Sequence, residues 1–172
     1  MISILFALLQ STALTAPPPP PAPPWTAVTR TDATTGATST SALAYSADRN
    51  ARLVVRCDRV GEPVVSIQMR TRAGLAASGD HLVSVSVDGA APIDLPWEFP
   101  GSATMNRGTV AVTKLTEAMS KAMSITVSTK DGEQTVSATF VGPGMGTGIK
   151  DVLAACGYEL GVVPQPVKPA AK

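Results

Sequence analysis

Few side chains in this sequence have the types that chemistry needs: two cysteines, Cys57 and Cys156, one histidine, His81, and a scatter of aspartates. A redox role for the cysteines would call for a C-x-x-C arrangement or a neighbour that stabilises a thiolate, and neither accompanies them. His81 as a general base would need a nucleophile and an orienting acid that the sequence does not place, so it reads as a hydrogen-bonded structural residue. No metal-ligand spacing surrounds it. Asp32, Asp48, Asp58, Asp88 and Asp131 fall near strand ends or turns, where aspartate bonds the local backbone. Nothing raises a paired-carboxylate hydrolase above background. The run "GPGMGTGIK" (142–150) places glycines between a strand and a helix, yet no register gives G-x-x-x-x-G-K-[ST] or G-x-G-x-x-G. Its glycines are expected to make a turn and open the helix. No cofactor and no metal is expected.

The elements that position these residues follow from period-two alternation. In "RLVVRCDRV" Leu53, Val55 and Cys57 share a face, and in "PVVSIQMR" Val65, Ile67 and Met69 do the same, with "RVGEP" as the turn between. "HLVSVSVDG" aligns Val83, Val85 and Val87, and "IDLPWEF" aligns Ile93, Leu95, Trp97 and Phe99. "MSITVSTKDGEQTVSATF" predicts a hairpin with Asp131 and Gly132 as a type I′ turn, so that Val127 faces Val136, Ile125 faces Ala138 and Met123 faces Phe140. "VAVTKLTEAMSKA" repeats apolar residues at Val112, Leu115, Met119 and Ala122, which is helical spacing. Ile149, Val152, Leu153 and Cys156 form a second helical stripe, which Gly157 can end in a left-handed cap. The expected fold is a β-rich α+β domain: antiparallel sheets, as a sandwich or one strongly curved sheet, with two helices.

The N-terminus sets the compartment. Residues 1–16 combine a short apolar run with small residues, which is signal-peptide anatomy, and the run is too short for a stable membrane span. A proline-rich linker follows at 17–24, then one domain at 25–160 and a tail expected to be disordered at 161–172. Cleavage would leave roughly 155 residues, enough to bury a core. In an exported protein two inward-facing cysteines read as one disulfide, Cys57 to Cys156. With 14 Lys+Arg, 13 Asp+Glu and a net charge of +1, no field steers the chain toward nucleic acid or anionic lipid. Trp97 falls on the core face by parity, leaving Trp25 as an aromatic surface contact.

Taken together, "WTAVTRTDATTGATST", "RLVVRC", "VSVDG", "PWEF", "ATFVG" and "AACGY" resemble the VasI-type, or TagO, periplasmic accessory proteins of type VI secretion and related exported proteins of Gram-negative bacteria. The resemblance spans about residues 25 to 158 and is anchored on Trp25, Cys57, Asp88, Trp97, Gly142 and Cys156; Tyr158 stands where the family pattern tends to have tryptophan. It implies a β-rich, disulfide-closed envelope protein without known catalytic residues. The expected function is therefore a non-enzymatic periplasmic accessory or binding protein of the cell envelope, with an envelope or secretion-apparatus protein as partner. The rival expectation is a small periplasmic cell-wall enzyme or an inhibitor of a wall hydrolase. Export has a direct check: the mature protein recovered from a soluble periplasmic pool should begin near Leu14 or Pro17 on N-terminal sequencing. Intact Met1 in the cytoplasmic pool would overturn it.

Overall fold

A computed structural model describes residues 23–76 and 78–165; the expected signal segment, all but the end of the linker and the last part of the tail lie outside the described residues. The strands are β1 (Val28–Thr31), β2 (Thr38–Tyr45), β3 (Ala51–Arg59), β4 (Val64–Thr71), β5 (Gly79–Val87), β6 (Ile93–Phe99), β7 (Ala103–Asn106), β8 (Ser124–Asp131) and β9 (Gln134–Val141). The helices are α1 (Thr109–Met119) and α2 (Gly148–Ala155). All strands join one antiparallel sheet of nine, in the order β1-β2-β3-β4-β7-β6-β5-β8-β9.

Of the two arrangements the alternation allowed, the single strongly curved sheet is the one found. Ser46, just past β2, bridges Phe140 of β9, so strands near opposite ends of the order come together. The reason lies in the pattern: Leu53, Val55, Cys57, Ile67, Met69, Val83, Val85, Trp97, Ile125, Val127 and Phe140 all point to one face and are buried. A sheet with one apolar face must cover it, and this one rolls around its own helices. Helix α1 packs against β4 and β5, burying Val112, Leu115 and Met119, while α2 packs against β2 and β3, burying Ile149, Val152 and Leu153. The threonines of α1 that also face inward keep their hydroxyls satisfied: Thr113 donates to the Thr109 carbonyl at 2.8 Å and Thr116 to the Val112 carbonyl at 2.8 Å.

Helix α2 ends as its sequence indicates. Gly157 has φ +73, its N–H donates to the Ala154 carbonyl, and the Tyr158 N–H donates to the Leu153 carbonyl, the paired bonds of a Schellman cap. That turn leaves Cys156 facing β3, where it is bonded to Cys57 with a Cα–Cα distance of 5.7 Å.

The β8–β9 hairpin differs from expectation by two residues. Asp131 pairs with Gln134, so Gly132 and Glu133 form the loop, Ile125 faces Phe140 and Val127 faces Ala138. Gly132 has φ +63 and Glu133 does not have positive φ, which fits a type II′ turn with glycine first and not the type I′ expected. Because the shift is even, each side chain stays on its expected face. Met123 drops out of the strand and is 71% exposed.

The cross-link closes a loop of 99 residues around most of the sheet. Reduction, or Cys156→Ala, should therefore lower stability by about 2 to 5 kcal/mol in equilibrium urea denaturation, as for native disulfides of small secreted domains. An unchanged midpoint would show that α2 is held by packing alone.

Candidate functional site

The rolled sheet does not close along its whole length. Between the β2–β3 turn and β9 lies a groove of about 680 Å³, lined by Ser46, Asp48, Asn50, Arg72, Ser137 and Thr139 among others. Its near wall is built by a turn whose hydrogen bonds follow from the local sequence "SADRN". The Ser46 hydroxyl donates to Asp48 Oδ1 at 2.6 Å and accepts the Ala51 N–H at 2.9 Å. Asp48 also accepts the backbone N–H of Asn50 at 3.1 Å and its side-chain amide at 2.8 Å. These bonds favour the charged carboxylate and hold its pKa below 3.8, the Ser46 hydroxyl being the largest contributor. Arg49 takes φ +58 to complete the turn.

The far wall is β9, which pairs with β8 along its length; among the described residues its further backbone partners are the bridge at Phe140 and the Trp25 indole at Val141. Its residues Val136 to Thr139 face the groove. One end of the seam is fastened by Trp25. The Trp25 N–H donates to the Leu43 carbonyl at 2.7 Å, and its indole Nε1 donates to the Val141 carbonyl at 2.6 Å, so one residue ties β2 to the end of β9. Its own carbonyl lies against Gly148, where a Cβ would fall inside the van der Waals radius of the oxygen. Trp25 is 3% exposed. The expected surface contact at Trp25 is therefore corrected: its ring belongs to the core and its indole to the seam, because the two sheet ends need a large side chain with one donor to fill and pair the gap.

The glycines of residues 142–150 have the same origin. A Cβ on Gly142 would overlap the Ala122 carbonyl, and the segment is hydrogen-bonded to that neighbourhood through Gly142 N–H to the Met123 carbonyl and Gly144 N–H to the Ala122 carbonyl. Close backbone approach at Gly142 and Gly148 accounts for two of these glycines, and no anion site is needed to explain them.

The remaining candidates are dispersed. His81 Nε2 lies 2.6 Å from the Ser78 carbonyl, and its ring packs edge-on to Phe99 at 4.8 Å, the structural role expected of it. Asp32 accepts the N–H groups of Thr34 and Thr35 in the β1–β2 turn, and the Thr35 bond first, then Thr34, lowers its pKa. Asp58 is bonded along its own strand to Arg56. Asp88 and Asp131 differ from expectation, because both reach across the fold. Asp88 accepts the Met123 and Ser124 N–H groups, joining the end of β5 to the start of β8, and Asp131 accepts the Ala76 N–H. The carboxylate of a turn residue is free to bond any donor that tertiary packing brings to it. Among the described residues no group of three or more His, Cys, Asp or Glu side chains is placed to hold a metal.

A further cleft of about 320 Å³ on the outer face adjoins the seam and is lined by Arg49, Arg52, Arg70 and Arg72. Sequence reading missed it because the four arginines come from the β2–β3 turn, from β3, from β4 and from the residue after β4. For Arg52 and Arg70 alone, the outward face was legible in the alternation that placed Leu53 and Met69 inward.

No protein-family model, curated protein sequence or solved structure matches the chain.

The seam turn carries a pH signature. With the folded-state pKa of Asp48 below 3.8, the stability it contributes is present above that value and is lost as pH falls through the lower folded value. The difference in urea midpoint between the wild type and Asp48→Ala should stay constant from pH 7 to about pH 5 and narrow on further acidification. A gap that widens in acid would contradict the assigned hydrogen bonds.

Proposed function

We propose that the protein is an exported, non-enzymatic binding protein of the cell envelope that takes an extended segment of a partner protein along the free edge of β9. The observation that carries this is the edge itself. Strand β9 is fully paired with β8 on one side, and from Val136 to Thr139 it lines the 680 Å³ groove. An unpaired strand edge presents backbone donors and acceptors to any chain that can lie alongside, and pockets beside it select the side chains.

The compartment rests on the Cys57–Cys156 bond, which fits an exported protein, together with the N-terminal sequence. Among the described residues no helix is long and apolar enough to cross a membrane. Periplasmic location extends this reading, and the resemblance carried by Trp25, Cys57, Asp88, Trp97, Gly142 and Cys156 makes a secretion-apparatus or other envelope protein the partner class.

The test compares the mature wild type with Ser137→Lys as bait in envelope extract. Ser137 is exposed on β9, so the substitution leaves the core intact while placing a long charged side chain beside the edge. A protein retained specifically by the wild type should be lost at least tenfold with the variant, at equal folded fraction by circular dichroism. Equal retention on both baits would refute edge pairing, as would retention of nothing.

A further inference from the structure

The outer face of the sheet bears a set of arginines that no carboxylate pairs among the described residues. Arg52 of β3 lies directly opposite Arg70 of β4, and Arg52 is itself opposite Tyr45 of β2. Arg72 follows two residues after Arg70, and its N–H donates to the Asn50 carbonyl, so the ladder continues and Arg72 shares the outer face. Arg49, in the β2–β3 turn, lays its guanidinium 5.4 Å from the centre of the Tyr45 ring. These four arginines are drawn from 14 basic residues in a chain of net charge only +1.

Neither of the two ion pairs among the described residues involves any of them, and none of the four side chains donates a hydrogen bond there. Asp48, the nearest carboxylate in the turn, is committed to Ser46 and Asn50. Like charges directly opposite on a sheet destabilise it, so the Arg52–Arg70 pair works against the folded state as it stands. Guanidinium forks match phosphate oxygens in geometry and charge, and several forks around one cleft match a ligand carrying more than one phosphate charge.

We propose that the cleft of about 320 Å³ between Arg49, Arg52, Arg70 and Arg72 binds a polyanionic phosphate group. A single carboxylate would neutralise one of the four cations and leave the cross-strand repulsion in place, whereas two or more phosphate charges bridge Arg52 and Arg70. This site adjoins the β9 groove and shares Arg72 with it, whereas Arg52 and Arg70, which the test replaces, line only the cleft.

The full mature protein is titrated calorimetrically with sodium tripolyphosphate, and with tricarballylate as a carboxylate control, at low and at moderate salt. Tripolyphosphate should bind one to one, more weakly as salt rises, and at least tenfold more tightly than tricarballylate. Arg52→Ser/Arg70→Ser should weaken it at least tenfold. The single variant Arg70→Ser, without ligand, should have a raised urea midpoint, because it relieves a repulsion and breaks no bond; a merely structural arginine would give a lowered one. Sedimentation with phosphatidic acid vesicles separates two sources of the same chemistry. Vesicle binding that tripolyphosphate competes away assigns a lipid headgroup, and tripolyphosphate binding without vesicle binding assigns a soluble phosphate compound. Absence of tripolyphosphate binding, equal binding by the double variant, equal affinity for tricarballylate, or a lowered midpoint for Arg70→Ser each overturns the proposal.

Discussion

A sheet of nine strands with one apolar face cannot exist flat in water, and the rest of this molecule follows from how that face is covered. The described residues form no second sheet. They include two short helices, of 11 and 8 residues, and the sheet curls until these fill its hollow. Helix α2 is too short to be stable alone, so its place depends on the apolar stripe it buries and on the bond from Cys156 to Cys57. The disulfide joins the final helix to a central part of the first four-strand run, which fixes the hollow's contents to its wall. Trp25 does the corresponding work at the rim, with one donor to each side of the seam.

The same curvature leaves a groove. Strands β2 and β9 meet at a single bridge and diverge from it, so β9 keeps an unpaired edge beside an opening instead of a neighbour. Natural sheets usually blunt such edges with charge, proline or a cover. Here the stretch Thr135, Val136, Ser137, Ala138 and Thr139 carries no charge or proline of its own, and the Lys130 ammonium of β8 donates to the Thr135 hydroxyl at 2.8 Å. An edge left open in this way is the surface that the proposed pairing with a partner chain would use. The arginine cleft next to it has a separate physical basis, since its cost is electrostatic and lies on the solvent face.

Packing, not chemistry, explains most of the residues that first invite a functional reading. His81 rests on Phe99 and a carbonyl, Gly142 and Gly148 admit neighbouring backbone, and Asp88 and Asp131 hold strands and loops in register. Among the described residues, the side-chain polar atoms without a hydrogen-bond partner include the buried Trp97 Nε1 and Thr104 Oγ1 as well as those of the four arginines of the outer face.

The sequence by itself determined the inward faces of six strands, both helices, the Schellman end of α2 and the pairing of Cys57 with Cys156. Each of these depends on periodicity or on a local cap, which neighbours along the chain encode. It did not reveal β1, β2 or β7: "VTRT", "TSTSALAY" and "ATMN" are short or built from small and polar residues, and they become strands because paired edges await them. The hairpin register moved by two residues because alternation constrains parity and leaves even shifts open. Tertiary structure alone decided that Trp25 is buried, that one sheet rolls instead of two packing, and that four arginines distant in sequence share a cleft. Those outcomes depend on which strands become neighbours, and strand order is set by the burial of the whole apolar face, which no local stretch of sequence contains.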